Sequence, residues 1–573
     1  GFHYFGNNNV NYNINEIARG SREMYDKLNE SDRFGLMWNW SNTLTFARTI
    51  NDMHNFNIMV GSEAVSEYEN WRSAFREDFF STEPNYMKLD AGAQAQSNGG
   101  NSSEWSLFSL FSRVSYNYDY KYLFEGTFRR DGSSRFGKRN RYGNFPSFSV
   151  AWRISSENFM SSLNWLDDLK LRFGWGQVGN DRIGNYNGIE VYSSDPRHSF
   201  YPIQNQQTGL ATAGFYLSSF GNPDVKWETT TTTDVGIDAR LWNSFRLVFD
   251  VWKRTTSDML FTKKIPRVMG VASFPSVNVG EMENNGFDLE LGYNGRLIGD
   301  ALFDISLFGT HYRNEIVKLS GEEGEFLEGA RQRGIIYTRA ETGTSYPEFF
   351  GYVVEGIFQT EEEAGNHPPA YGENGTYNEP GHFKYKDVNE DGVINDDDRT
   401  YIGSPHPDFS AGLSLALNYR NLAISTRLYS CYGNKLANQA ARWMDFVTIS
   451  YARSHKRLYE SWGSPYLDNN EDAKMTKMEI DDSASQVSSS HFIEDASYLR
   501  MQNLRIGYNL TNIFQAAKFN NLEIYGQVTN LFTLTKYSGL DPEVSGSSNI
   551  NFGLDAGSWP TPRQFLFGIN IGF

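Results

Sequence analysis

The chain has 573 residues, with 52 Lys and Arg against 69 Asp and Glu, a formal net charge of −17. That balance excludes a nucleic-acid surface built from clustered cations, and the single cysteine, Cys431, excludes an internal disulfide framework or a multi-cysteine zinc site. Mean hydropathy is −0.55. No apolar run approaches the roughly 18 residues a membrane helix needs, so a helical membrane protein is excluded too. Aromatic residues make up 15%, with 33 Tyr, 42 Phe and 52 Gly. Such a composition suits aromatic girdles and tight turns in a β-barrel, whose polar inner face dilutes the average hydropathy.

Alternation with a period of two predicts fifteen strands. They fall near 38–50, 54–66, 106–118, 120–130, 144–155, 167–177, 227–241, 244–256, 283–295, 301–315, 409–419, 421–431, 493–509, 521–534 and 563–573. In one, Phe245, Leu247, Phe249 and Val251 alternate with Arg246, Val248, Asp250 and Trp252. In another, Leu422, Ile424, Thr426 and Leu428 alternate with Ala423, Ser425, Arg427 and Tyr429. The last segment places Phe565, Phe567, Ile569, Ile571 and Phe573 on one face, the length of a tilted strand crossing a bilayer. A free strand edge is an aggregation hazard that barrel closure removes. The terminal Phe573 is the candidate membrane-assembly signal.

The connections fall into two alternating classes. Short ones lie near 51–53, 119, 156–166, 242–243, 296–300, 420 and 510–520. Long ones lie near 67–105, 131–143, 178–226, 257–282, 316–408, 432–492 and 535–562. This is the asymmetry of an outer-membrane barrel, with short periplasmic turns and long extracellular loops. Fifteen is odd, whereas bacterial single-chain barrels have even strand numbers, so strands are expected to be missing before residue 38. Residues 1–37 are read as an extracellular loop segment and 38–573 as barrel. The chain opens mid-pattern at Gly1-Phe2-His3-Tyr4, without a signal peptide, as if processing or truncation had removed what preceded it.

The longest loop, 316–408, is too long to lack structure of its own. Within it, Asp387-Val-Asn-Glu-Asp-Gly-Val-Ile-Asn-Asp-Asp-Asp398 follows the twelve-residue calcium loop. Asp387, Asn389 and Asp391 offer side-chain oxygens at positions 1, 3 and 5. Gly392 permits the turn, Val393 offers its carbonyl, and Ile394 packs the loop down. Asn395 stands at position 9, and Asp398 stands at position 12 where Glu is usual. Asp is one methylene shorter, which weakens the case for bidentate ligation. The flanks are not amphipathic helices, so the expected role of Ca2+ is to brace a loop, not to act as a sensor.

Several segments together resemble the SusC-like family of TonB-dependent outer-membrane transporters (the RagA/SusC family) of Bacteroidetes-type bacteria. They are Arg130-Asp-Gly-Ser-Ser-Arg-Phe136, followed by Arg141-Tyr-Gly-Asn-Phe-Pro-Ser147 and Ala151-Trp-Arg-Ile154; Asn222-Pro-Asp-Val-Lys-Trp-Glu228; the acidic loop with Asp398-Arg-Thr-Tyr-Ile-Gly403 and Pro407; Ser497-Tyr-Leu-Arg-Met-Gln-Asn-Leu504 with Gly507-Tyr508; Val528-Thr-Asn-Leu-Phe532 with Asp541-Pro542; and Pro560-Thr-Pro-Arg563. The resemblance implies a barrel of 22 antiparallel strands around an N-terminal plug, of which fifteen strands ending at the periplasm are strands 8 to 22. It also implies residence among outer-membrane lipids, import of a glycan, glycan fragment or peptide, a SusD-like surface lipoprotein as lid, and TonB acting through a plug region that this chain lacks. Without plug and first strands, the chain alone is not expected to close a barrel or to transport.

Other chemistry is weakly signalled. Nine His residues show no HExxH or paired metal spacing, and His311 and His406 read as ordinary polar positions. No Gly-x-Ser-x-Gly elbow is present, and no enzymatic activity is expected. Glu361-Glu-Glu363 reads as a solvated acidic turn. Loop aromatics offer stacking surfaces for a substrate, with Trp71, Tyr201, Phe349, Tyr352 and Trp443 as candidates beside Phe200, Tyr216, Phe350 and Tyr466, although loop packing is the commoner use of such residues. Arg246, Asp250, Arg427 and Arg505 face the lumen by alternation, as a charge network. Lys138-Arg-Asn-Arg141 is the one basic cluster, read as a lipopolysaccharide or loop contact, or as a contact with an acidic partner surface. Two other classes remain: a structural or adhesive surface barrel, and a secreted β-rich hydrolase such as a propeller. No repeat near 45 residues supports the latter.

Overall fold

A computed structural model describes the chain except for residues 14–24, 196–197, 202–211, 263–269, 271, 274–275, 321–324, 330, 333, 373–374, 447–453, 480–481, 514–518, 545, 547 and 573. Phe573 therefore lies outside the described residues. Sixteen long strands dominate. They are β1 (Phe2–Asn13), β2 (Lys27–Ile50), β3 (His54–Glu77), β4 (Gln94–Tyr118), β5 (Tyr122–Ser133), β6 (Tyr142–Arg153), β7 (Leu166–Asn180) and β8 (Glu228–Leu241). There follow β9 (Phe245–Ser257), β10 (Glu281–Ile298), β11 (Ala301–Lys318), β12 (Phe409–Tyr419), β13 (Leu422–Tyr432), β14 (Tyr498–Asn509), β15 (Asn521–Thr529) and β16 (Gln564–Gly572). Neighbours in sequence are neighbours in the sheet. The registers are antiparallel from β1 to β5 and from β10 to β16. Among the described residues no pairing register joins β1 to β16.

Three expectations are corrected here. Residues 2–13 and 27–37 are strand and not loop: β1 pairs with Lys27–Trp38 of β2, from Phe2↔Trp38 to Asn13↔Lys27. Among the described residues the long strands number sixteen, which is even, so the parity argument for missing strands lapses. The segment 67–105 is also largely strand, because β3 continues to Glu77 and β4 begins at Gln94. The cause is common to all three. Beyond the bilayer both faces of a strand meet water, and the apolar alternation that marks a strand disappears.

Two-residue turns close the short hairpins. Asn51-Asp52, Asp119-Tyr120 and Trp242-Asn243 all have both residues at φ between 49° and 54°. Paired positive φ values mark the type I′ turn, whose twist matches that of the flanking strands. On β2 and β16 one face is apolar and open: Trp40, Leu44 and Phe46 on the first, Phe565, Phe567, Ile569 and Ile571 on the second. Such bands are the lipid-facing surface of a membrane barrel. No helix among the described residues is long and apolar enough to span a membrane.

The residues group into two compact units. One comprises Gly1–Ala151, Gly174–Thr232 and Thr256–Val279, the other Trp152–Phe173, Thr233–Thr255 and Gly280–Phe573. The first has a core of Phe136, Phe145, Ile183, Val225 and Trp227, and a smaller one of Leu28, Phe79 and Met87. In the second, the 316–408 segment folds into its own small sheet of Phe326–Glu328, Thr338–Glu341, Glu348–Gly351 and Thr400–Gly403. It adds α1 (Glu361–Asn366), capped by Thr360, so Glu361-Glu-Glu363 is a helical first turn. Its acidic residues complement the helix dipole.

Candidate functional site

The acidic loop lies in the second unit between the strand Phe383–Tyr385 and the strand Thr400–Gly403, without flanking helices. Its oxygens converge through backbone N–H groups. Gly392 N donates to Asp387 Oδ2 (2.8 Å), Asp391 N to Asn389 Oδ1 (3.0 Å), Val393 N to Asp391 Oδ1 (2.9 Å) and Asp397 N to Asn395 Oδ1 (2.8 Å). Gly392 has φ +85°, a value an L side chain rarely adopts. Asp398 is fully buried and accepts from Val388 N (2.9 Å) and Asn395 N (2.7 Å). Each of its oxygens keeps a further lone pair. Asp387 Oδ1 is buried without a hydrogen-bond partner. Residues 387–398 hold six carboxylates, and the ion pair formed there is Asp396 with Arg399, at 4.0 Å. An orphaned buried oxygen in a carboxylate-rich turn fits a hard cation.

The loop is anchored by Ile394, which is buried with Phe383, Tyr377, Tyr385, Phe446 and Phe492, and whose N–H donates to Pro369 O at 3.0 Å. Tyr352 packs on the same core and donates to Asp396 Oδ1 at 3.2 Å. Burial, then the Asp396 carboxylate, pushes its phenol pKa up, so it stays a donor. Behind it His382 stacks on Tyr377, with ring centroids 4.3 Å apart. Its Nε2 lies 2.8 Å from Glu479. Glu379, His382 and Glu479 bring ligand atoms within 4.8 Å of one another. The Lys477 ammonium bonds both carboxylates, at 2.9 and 2.8 Å, so the cluster is closed by a cation of its own.

The aromatic candidates do not form one site. Phe349 has no exposed surface and packs with Tyr337, Ala437 and Leu554, so it is a core residue and not a ligand contact. Its neighbour Phe350 takes the other face of that short strand, with the guanidiniums of Arg339 and Arg399 4.5 and 5.1 Å from its ring centre. Trp443 is half-buried on α2 (Gln439–Asp445). Tyr466 is exposed beside Tyr459. In the first unit Tyr201 is exposed and bridges to Thr212. Half-buried Tyr216 lies beside His198, and Phe200 is half-buried. Trp71, on β3, is 44% exposed.

The inner-face charges are paired. Arg246 bonds Glu290, Asp250 accepts from Arg172 (2.8 Å), and Arg505 donates to Glu523 (2.7 Å) while lying 4.4 Å from the Tyr525 ring centre. Arg427 lies over Phe308. In the basic cluster Arg139 faces Asp224 at 3.7 Å and Asn140 donates to the Asp224 carbonyl at 2.7 Å, which makes this end of it a loop contact. His311 Nδ1 lies 2.5 Å from Asp408 O. Burial holds His406 below the usual histidine range. It is then neutral, with Nε2 donating to Tyr346 O (3.0 Å) and Nδ1 accepting from Tyr312 (3.1 Å).

The segments that carry the family resemblance meet one another. In the first unit Phe136 and Trp227 pack 5.0 Å apart, and Ser133 donates to Asp181. Trp227 Nε1 donates to Arg141 O. In the second unit Arg500, 3% exposed, bonds Asp541 and Glu543 at 2.5 Å each, and Asp541 also accepts from Thr561 N at 2.9 Å. Sequence reasoning singled out these segments without showing that they touch. The pairing of Arg172 with Asp238 and Asp250 was missed as well, though all three stand on alternating strands.

Strand order, I′ hairpins, outward apolar bands and an ion-paired inner face define an outer-membrane β-barrel wall. Residues 1–531 match the family described as TonB dependent receptor-like, beta-barrel. TonB-dependent receptor P3 of Formosa agariphila is 30% identical over 546 residues, 93% of this chain and 52% of that protein. TonB-dependent receptor SusC of Bacteroides thetaiotaomicron is 30% identical over 530 residues, 91% of this chain and 48% of that protein. The chain thus spans about half the length of the curated relatives it matches. A solved structure of the RagAB peptide transporter superposes with a TM-score of 0.80 at 23% identity, over 100% of this chain and 59% of that one. The chain belongs to the TonB-dependent receptor β-barrel family and is a SusC-like protein of the outer membrane.

Proposed function

We propose that this chain forms wall and outer rim of a TonB-driven nutrient importer that makes and breaks no covalent bond. The family match over residues 1–531 carries this reading. A SusD-like lipoprotein and the long loops would capture a glycan, glycan fragment or peptide, and TonB would act through a plug outside these residues. Relatives named SusC and RagAB support that class of activity. Purification of the full-length parent from native outer membranes, with mass spectrometry of what accompanies it, tests the reading. A stoichiometric lipoprotein and a retained oligosaccharide or peptide are expected. A lone chain without either would refute it.

The acidic loop is proposed to hold Ca2+ through Asp387, Asn389, Asp391, the Val393 carbonyl, Asn395 and Asp398. The ion would neutralise carboxylates that otherwise repel, and would brace the extracellular segment against the Ile394 core. The orphaned Asp387 Oδ1 is the supporting observation. Terbium added to the protein should luminesce through Tyr352, be displaced by calcium, and lose its signal in Asp391→Ala. Equal luminescence in wild type and variant would refute the site.

A further inference from the structure

Along Gln94–Ser106, β4 is paired on one side alone. Its register with β3 extends from Ser66↔Ser106 to Glu77↔Gln94, whereas its register with β5 begins at Leu107↔Ser133. On the unpaired side the N–H groups of Ser106, Glu104 and Ser102 are taken by Ser134 Oγ, Tyr186 Oη and Asn101 Oδ1, at 2.9, 2.9 and 2.8 Å. The two-residue period places the N–H and C=O of Asn98 and Gly100 on that same side. No hydrogen bond from a described residue reaches them there. The register irregularity lies between Phe75 and Glu77, at the start of β4, and leaves Ser97–Ser106 in regular pairing.

Protein edges are ordinarily blunted by charge, proline or a cover. Residues 94–103 read Gln-Ala-Gln-Ser-Asn-Gly-Gly-Asn-Ser-Ser, without a charge or a proline, and 94–102 are exposed without a break. The two faces beside the edge differ. On one, the exposed Trp71 indole lies against Gly99, 3.7 Å from where a side chain there would begin. On the other is a groove of about 510 Å³ bordered by Ala74, Leu89, Gly100 and Glu30. The Asp32–Arg72 pair, at 3.0 Å, also lines it. Glu30 has no ion-pair partner among the described residues, which leaves a free carboxylate at the far side of the groove.

We propose that this edge binds an extended, unstructured peptide by strand addition. Main-chain bonds form to Asn98 and Gly100, one side chain lies on Trp71, and the next, a Lys or Arg, lies in the groove and is drawn towards the Glu30 carboxylate at its far side without touching it. Alternating donors and acceptors repeating about every 6.8 Å match a peptide backbone and not a sugar chain. The free carboxylate supplies the charge preference. The proposal goes beyond the import reading and needs neither TonB nor plug, so failure of one leaves the other standing.

The test uses the detergent-purified full-length parent and a fluorescent, end-capped heptapeptide, Thr-Val-Ser-Arg-Ser-Val-Thr. Saturable binding is expected, weakened about tenfold or more when alternate amides of the peptide are N-methylated in the bonding frame. Gly100→Pro, which removes an edge N–H, should cause a similar loss with unchanged circular dichroism and heat-modifiable migration. Should that variant misfold, the N-methylated peptide decides, because it leaves the protein untouched. Glu30→Gln should weaken the peptide severalfold and leave its norleucine-for-arginine analogue unaffected. Absence of saturable binding, or equal binding of the N-methylated peptide, overturns the proposal. So does self-association of the barrel that Gly100→Pro abolishes, which assigns the edge to a second copy.

Discussion

Arg500 stands near the start of β14 and ties down Thr533, Asp541 and Glu543. Its Nε donates to Thr533 Oγ1 (2.9 Å), and its two terminal nitrogens to Glu543 and Asp541. Burial alone would raise the Asp541 carboxyl pKa. The N–H groups of Thr561 and Glu543, with the Arg500 guanidinium, outweigh burial and hold it below the usual carboxylate range. Removing one member of a buried pair costs about 3–5 kcal/mol. Glu543 is partly exposed and Asp541 keeps its two N–H donors, so the lower end, about 3 kcal/mol, applies to Arg500→Met. At 1.4 kcal/mol per decade that is roughly a hundredfold in local opening. Hydrogen exchange read by mass spectrometry should show amides of 533–562 exchanging about a hundredfold faster, while amides of β12 and β13 stay unchanged. Adding Asp541→Asn to Arg500→Met should recover part of the loss, since no stranded charge then remains. Exchange in the single variant within about threefold of wild type would refute the reasoning, because it would mean the guanidinium contributes nothing net.

The remaining predictions concern a histidine and a glycine. Burial, and then the positive charge of Arg457, pushes His491 down to about 4, with its ring 4.7 Å from Phe383. Its folded pKa lies below the unfolded value of about 6.5, so the unfolded chain takes the proton first and stability falls as pH drops from about 6.5 towards 4. Proteolysis of the segment around His491 should accelerate between pH 7 and pH 5, and His491→Phe should flatten that dependence. Gly236 leaves room for Arg172 to bridge Asp238 and Asp250: a side chain there would meet the Asp250 carboxylate and come within 2.7 Å of Arg172 Nη2. Gly236→Val should therefore cut the yield of heat-modifiable protein in membranes. Yield equal to wild type would show that the bridge is dispensable.

Strands inside the bilayer were legible because one face must be apolar and the other need not be. Phe245–Ser257 and Leu422–Tyr432 lie within two residues of the expected 244–256 and 421–431. Strand outside the bilayer was not legible: Asn7-Asn8-Asn9 of β1 and Ser97–Ser103 of β4 carry no alternation to read. The acidic loop was legible from spacing alone, since its oxygens come from one contiguous turn. Phe349 and Phe350 could not be told apart, because their short strand is seen only once its partners are known. Arg500 and Asp541 are separated by 41 residues, and no local pattern announces a contact of that range.

Among the described residues each long strand pairs with its neighbours in sequence, β14 also takes the short strand Thr533–Thr535 at its start, and two-residue turns fix three of the long registers at one end. Wall geometry is thus settled without reference to what lies between Lys318 and Phe409 or between Tyr432 and Tyr498. Those excursions can be lengthened, shortened or exchanged and the wall still closes its hydrogen bonds in the same order. The loops can therefore diverge while the wall is inherited unchanged, provided each new rim keeps ties of the Arg500–Asp541 kind.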